Sequence, residues 1–188
     1  MTNQPDTLPD LLRDELEVVF VGINPSLFSV AAGHYFARRT NRFWPCFSRS
    51  VLSEAARHTL GVARLEPEHD QALSAFGFGF TDVVKRATVR ADDLRPQELS
   101  AGARHLLARL GRRKPRFACF HGITGYRHVA RALSSDRADA NLGLQPLRIG
   151  ETRCFVAPNP SGANAHFTPA DQTGWYDRLA YELDRSQR

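Results

Sequence analysis

Lysine is nearly absent from this chain: Lys85 and Lys114 are the only lysines among 25 Lys and Arg residues. Schiff-base chemistry therefore has few candidate amines, and the positive charge is almost all guanidinium. Cysteine is scarce too. Cys46, Cys119 and Cys154 are widely spaced with no Cys-x-x-Cys pair, which excludes a disulfide framework and an all-cysteine iron–sulfur cluster. Cys119 and Cys154 lie in apolar, strand-like runs and read as small core residues. The histidines His34, His58, His69, His105 and His128 show no metal-ligand spacing, so no metal and no cofactor are expected. No apolar run approaches the length of a membrane span, and the first residues lack the apolar region of a signal peptide. A cytoplasmic, monomeric protein with no membrane partner is the expectation, acting on something dissolved or on DNA.

What is present points toward a charged polymer. The 188 residues carry a net charge of +5, and the pI is about 9.6. Arginine grips phosphate bidentately and stacks on flat rings, so its surplus suits nucleic acid. A general preference for Arg over Lys would produce the same surplus. The length suits one domain with a real core. Residues 1–14, polar and Pro-bearing, read as a loose arm ending in a short helix, and 15–188 as a single domain.

Along that domain strands alternate with helices. Glu17–Val21, Thr81–Val84, Arg116–Phe120 and Arg153–Ala157 read as buried strands. Arg42–Leu52 reads as a helix with Phe43, Phe47 and Val51 on one stripe. Pro96 opens the clearest helix, with Leu99, Ala103, Leu106, Leu107 and Leu110 in register. A further helix should run to about Leu133, and Thr168/Pro169 should open a closing helix to about Asp184. The alternation predicts an α/β fold, a three-layer α/β/α sandwich around a mainly parallel central sheet.

Two strands spill into tight polar loops, Gly22-Ile23-Asn24-Pro25-Ser26 and Pro158-Asn159-Pro160-Ser161-Gly162. Ligands of open α/β sheets gather beyond the carboxyl ends of the strands, so these loops read as two jaws of one cleft. An Asn anchored there can accept a hydrogen from water or donate to a base carbonyl, but it cannot take up a proton. It could equally cap the turn that follows.

Gly22-Ile23-Asn24-Pro25, Phe36-Ala37, Asn41-Arg42-Phe43-Trp44 and Asn159-Pro160-Ser161-Gly162 occur in that order. The set resembles the mismatch-specific uracil/thymine-DNA glycosylase family, from about Val18 to Leu183. The resemblance implies a monofunctional glycosylase that flips uracil, or another damaged or mismatched base, from DNA and hydrolyses its N-glycosidic bond. Asn24 would position the attacking water, Phe36 would stack on the flipped base, and Ile23 and Ser26 would line the base pocket, with Tyr35 as a neighbour. Asn159, Ser161, Gly162, Ala163, Asn164 and His166 would hold the DNA, double-stranded or single-stranded. Phe43 and Trp44 are expected to point into the core.

The chain departs from the family twice. Ala163-Asn164-Ala165 offers no large wedge for the hole left by a flipped base, so either Asn164 or His166 fills it through hydrogen bonds or the wedge is weak. Ser26 stands where Gly often follows Asn-Pro, which narrows the pocket or adds a hydrogen-bond partner for the base, and uracil is expected to be easier to admit than thymine. Two further residues have two readings each. His121 could touch base or backbone, or be a solvated or capping strand-end residue. If residues 88–94 are extended, Val89, Ala91 and Asp93 share an inward face, aiming Asp93 at the cleft as a carboxylate for an oxocarbenium-like state. Otherwise Asp92 and Asp93 belong to the start of the next helix. Two other functions stay open: a non-catalytic DNA-binding protein of the same fold, and a nucleoside or nucleotide N-glycosidic hydrolase.

Overall fold

A short, unbroken apolar run must be covered on both faces. Val18–Gly22 is such a run, and it forms β1, an inner strand of a five-stranded sheet. The structure, a computed structural model, describes residues 6–134 and 139–186. After β1 come α1 (Leu27–Ala32), α2 (Phe43–Arg49), α3 (Glu54–Leu60) and β2 (Phe78–Asp82). The chain continues through α4 (Pro96–Arg113), β3 (Phe117–His121), α5 (Ile123–Leu133), β4 (Gly143–Ile149), β5 (Thr152–Ala157) and α6 (Pro169–Arg185). The strand order is β2-β1-β3-β5-β4. Every pair is parallel except β4 with β5.

Alternation along the strands divides the core in two. Phe20, Phe80, Cys119 and Phe155 point to one face and meet Phe43 and Phe47 of α2 and Tyr176 and Leu179 of α6. Val21, Ala118, Phe120 and Val156 point to the other and meet Ala103, Leu106 and Leu110 of α4 and Tyr126 and Val129 of α5. This is the expected three-layer α/β arrangement. Phe43 and Trp44 are buried, as are all three cysteines. Among the described residues, no helix is long and apolar enough to cross a membrane.

Several elements differ from their sequence reading. The segment from 6 to 14 is neither loose nor helical. Leu8 is buried, and Leu11 exchanges backbone hydrogen bonds of 2.9 and 3.1 Å with Phe80, covering the free edge of β2. Residues 1–5 of the expected arm lie outside the described residues. β2 begins at Phe78 rather than Thr81, and Gly79 is required there because a Cβ would lie 2.5 Å from the Leu11 carbonyl. α2 stops at Arg49, where the Ser50 hydroxyl donates to the Phe47 carbonyl at 2.7 Å. Val51 is consequently exposed instead of extending the Phe43–Phe47 stripe. β4 was not anticipated, because Pro146 interrupts its pattern. It is an edge strand with an irregular register between Leu144 and Arg148, where a proline is tolerated.

Candidate active site

Register places four residues in a row across the carboxyl ends of the strands. Gly22 pairs with Asp82, and His121 with Ala157; Val21 pairs with Phe120, which puts Gly22 beside His121. Period two puts Asp82, Gly22 and His121 on the face of Phe80, Phe20 and Cys119. A cleft of about 420 Å³ opens at this row, between the loops that leave the strands. Ile23, Asn24, Ser26, Tyr35, Phe36, Asn159, Ser161 and Ala163 line it. Gly162, Asn164, His166 and Asp93 are not among its lining residues.

Asn24 is held in one orientation. Its Nδ2 donates to the Arg86 carbonyl at 2.9 Å, the Pro25 carbonyl at 3.2 Å and the Thr88 hydroxyl at 2.7 Å. Carbonyl oxygens only accept, so the amide nitrogen must face them. Thr88 in turn donates to the Arg90 carbonyl at 2.6 Å, which leaves its oxygen to accept from Asn24. The carboxamide oxygen has no hydrogen-bond partner among the described residues. Asn24 therefore meets a ligand as an acceptor, and its donors are already committed.

The loop supporting Asn24 corrects the extended reading of 88–94. Ala91–Asp93 is a 3₁₀ turn, and the Asp93 carboxylate folds back to accept from the Arg90 backbone N–H at 2.9 Å. Asp93 thus closes the turn and does not point into the cleft. Asp92 is the acid at the cleft rim, exposed and 3.2 Å from the Arg90 guanidinium. A three-residue turn breaks period two, which reversed the faces assigned to the pair.

Three aromatic rings shape the cleft, each differently. Phe36 is half-buried with positive φ (54°), and one face stacks on Phe43 at 4.5 Å between centroids. It lines both the cleft and the adjoining hollow toward Trp44. Tyr35 is spent on structure. Its ring stacks on Phe80, and its hydroxyl donates to the Pro9 carbonyl at 3.0 Å and receives Lys85 at 3.2 Å. His121 is neither solvated nor a cap: it is 3% exposed, with Nε2 3.0 Å from the Tyr176 hydroxyl. Burial pushes its pKa down to about 3, against the pull of the Val21 backbone, so the imidazole is neutral at working pH.

The second jaw is a self-bonded loop clamped from outside. Asn159 Oδ1 accepts from the Ser161 backbone N–H at 3.0 Å, and the Ser161 hydroxyl accepts from Ala163 at 3.3 Å. The Asn164 carboxamide donates to the Asn159 carbonyl and accepts from the His166 N–H, so it is committed within the loop rather than free to fill a gap. Arg42 donates to the Phe167 carbonyl at 2.6 Å and the Gly162 carbonyl at 3.3 Å, while its own N–H reaches Pro160 at 2.8 Å. Gly162 presses on Thr40, whose carbonyl would lie 2.6 Å from a Cβ there. The four separated sequence motifs thus meet at one place.

The family model of the uracil DNA glycosylase superfamily matches residues 9–182 of this chain. The chain belongs to that superfamily. Membership supports a DNA glycosylase role, with hydrolysis as its chemistry and DNA as its substrate class. The solution NMR structure of a candidate uracil DNA glycosylase from Methanosarcina acetivorans is similar, with a TM-score of 0.55 and 20% identity. The match covers 93% of this chain and 97% of that one. At that identity the likeness speaks for the fold.

In this superfamily member two features of the cleft escaped sequence reading. The Ser26 hydroxyl is the N-cap of α1, accepting from the Ser29 N–H at 3.0 Å, so its oxygen is engaged in local structure. Asp82 was missed altogether. It lines the cleft, is 3% exposed, and its Oδ2 has no hydrogen-bond partner among the described residues. Burial raises its pKa from 3.8 to about 7, against the opposing pull of Lys85. A strand-end Asp in Phe78-Gly79-Phe80-Thr81-Asp82 carries one signal: alternation puts it on the face of two core phenylalanines.

Proposed function

We propose that this chain is a monofunctional, mismatch-specific type of DNA glycosylase that hydrolyses the N-glycosidic bond of uracil flipped out of DNA. The fixed carboxamide of Asn24 carries the reading. Its oxygen accepts no hydrogen bond among the described residues, so a water donating to it is oriented with its own lone pair outward. That water forms the new bond to C1′ as the C1′–N bond breaks and the electron pair leaves with the base. Asn24 takes no proton, and the water's proton passes to solvent. Phe36, already backed by Phe43, offers its cleft side for stacking, worth about 1–3 kcal/mol. Ser26 puts a side chain where glycine would leave room for a methyl group, which favours uracil over thymine. Ser161 and its neighbouring amides hold the DNA backbone, duplex or single strand, in a protein acting as one domain and one copy.

Neither lysine offers an amine to the sugar. Lys85 is paired with Asp10 at 2.7 Å and Lys114 with Glu151 at 3.0 Å. A product with an intact abasic site follows, without strand cleavage. The decisive measurement is single-turnover uracil release from duplex DNA by the parent and by Asn24→Ala. The variant is expected to release uracil slower by on the order of 10² or more, with DNA affinity retained. Near-parental release by Asn24→Ala would remove this mechanism, and no release by the parent would leave a DNA-binding protein of the same fold.

A further inference from the structure

The backbone of Phe36 is held from outside the cleft. Its φ of 54° lies in the left-handed region, which a residue with a Cβ keeps only where its surroundings impose it. The imposing contacts fall on the two residues before it. The Asp70 carboxylate accepts from the Tyr35 backbone N–H at 2.9 Å through Oδ2, and its Oδ1 lies 3.1 Å from His34 Nδ1. The Tyr35 carbonyl accepts from the Trp44 indole at 2.9 Å. The peptides on both sides of Tyr35 are thus fixed before the chain reaches Phe36. Neither His34 nor Asp70 lines the cleft or the hollow beside it.

Asp70 is 1% exposed. A carboxyl group is taken out of water at a cost unless its oxygens are satisfied, and here both are spent on residues 34 and 35. The turn that presents it is locked. The Glu66 N–H donates to His69 Nδ1 at 2.9 Å, the His69 N–H to the Glu66 carbonyl at 3.0 Å, and the Asp70 N–H to the Pro67 carbonyl at 3.0 Å. Leu65, just before the turn, is tied to α2: its N–H donates to the Ser48 hydroxyl at 2.8 Å, and that hydroxyl donates back to the Leu65 carbonyl at 3.2 Å. The same helix carries Phe43, on which the Phe36 ring stacks. α2 therefore backs the ring directly and, through residues 65–70, sets the backbone that carries it.

We propose that Asp70, assisted by His34, is a positioning residue for base stacking: it fixes the peptide before Phe36 and so holds that ring at the angle and depth at which a flipped base meets it. The role rests on the glycosylase reading above, with Phe36 as its stacking ring. Without the carboxylate the Tyr35 N–H is left buried and unpaired, and an amide in that state turns to find another acceptor. Such a turn releases Phe36 from the left-handed region and swings its ring. Stacking between flat rings depends on their separation and tilt, so a swung ring loses contact with the base even while it still touches Phe43.

Single-turnover uracil release from duplex DNA, measured well below the melting temperature, tests the role in Asp70→Ala, Asp70→Asn and His34→Ala, each with and without Phe36→Ala. Asp70→Ala alone should slow release about tenfold, within what stacking on an aromatic ring is worth. On top of Phe36→Ala it should slow release no further, because no ring remains to be placed. Asp70→Asn keeps a carbonyl for the Tyr35 N–H and should stay within about threefold of the parent. His34→Ala removes a side chain that is 25% exposed, so it should fold normally and show a smaller loss that likewise vanishes in Phe36→Ala. Free uracil should inhibit Asp70→Ala and Phe36→Ala more weakly than the parent by similar factors, with affinity for undamaged duplex retained. Parental release by Asp70→Ala, equal slowing with and without Phe36, or a loss in Asp70→Asn as large as in Asp70→Ala would each overturn the role. If Asp70→Ala does not fold, parental release by His34→Ala, or a loss that persists in Phe36→Ala, overturns it instead. Parental release by Phe36→Ala would remove the stacking ring and this role with it, whereas no uracil release by the parent would overturn the glycosylase reading.

Discussion

The turn that orients the Asn24 carboxamide is itself held by single hydrogen bonds. The Asp93 carboxylate closes the 91–93 turn on the Arg90 N–H, and the Arg90 carbonyl anchors Thr88, which anchors Asn24. Asp93 therefore acts three hydrogen bonds away from Asn24, the residue proposed to hold the water. Loss of such a cap costs about 1 kcal/mol, which is about 2–4 °C in a protein of this size. Asp93→Ala should melt earlier by that amount and lose far less uracil-release rate than Asn24→Ala. Asp92→Ala should leave melting unchanged, because an exposed ion pair such as Asp92–Arg90 contributes about 0–1 kcal/mol. Thermal melting and single-turnover release on both variants decide it. A loss in Asp93→Ala as large as that in Asn24→Ala, with parental melting, would return Asp93 to the reaction. The period-two reading aimed Asp93 at the cleft because no residue in Ala91-Asp92-Asp93 signals a turn as Gly or Pro would.

At the scale of the sheet, the strand ends hold two buried titratable groups with opposite acid–base habits. His121 titrates near 3 when folded against 6.5 ordinarily, so between those values the unfolded chain holds more protons. Its contribution to stability is lost as pH falls from 6.5. Asp82 titrates near 7 when folded against 3.8 ordinarily, so the folded chain holds more protons. Its contribution is lost as pH rises from about 4 to 7. Each slope is at most about 1.4 kcal/mol per pH unit, and in the overlapping window they oppose one another. Asp82→Asn should therefore lose stability on acidification from pH 6.5 to 4 more steeply than the parent, and His121→Gln should lose it as pH rises through the same window. Coincident melting-versus-pH curves for Asp82→Asn and the parent would contradict the opposition. The jaws were legible in sequence because a buried strand ending in Asn-Pro or Pro-Asn-Pro announces itself locally. The Asp82–Gly22–His121 row was not, since it depends on the register of three strands that lie far apart in the chain.

For the whole molecule, the arginine surplus matters only where it is unspent. Much of it is consumed by structure: Arg109 with Asp10, Arg86 with Glu98, Arg116 with Glu17 and Arg153 with Glu182 tie segments together. Arg38 and Arg39 are different, exposed on the loop before Asn41 and without an ion pair among the described residues. Arg38 lines the cleft beside Phe36, and both arginines line the adjoining hollow toward Trp44. A strand whose base enters the cleft has its phosphates running past this rim, where guanidinium can displace condensed counterions. Affinity for undamaged duplex DNA should then fall steeply with salt, by roughly 0.9 in log–log slope for each phosphate neutralised. Arg38→Ala and Arg39→Ala should each reduce that slope by about one while leaving melting unchanged. Lys114→Ala, remote from the cleft and paired with Glu151, should leave it as it is. Equilibrium binding across a salt series measures all three. A slope that ignored Arg38 and Arg39 but responded to Lys114 would move the DNA off the cleft rim and separate the charge surplus from the proposed chemistry.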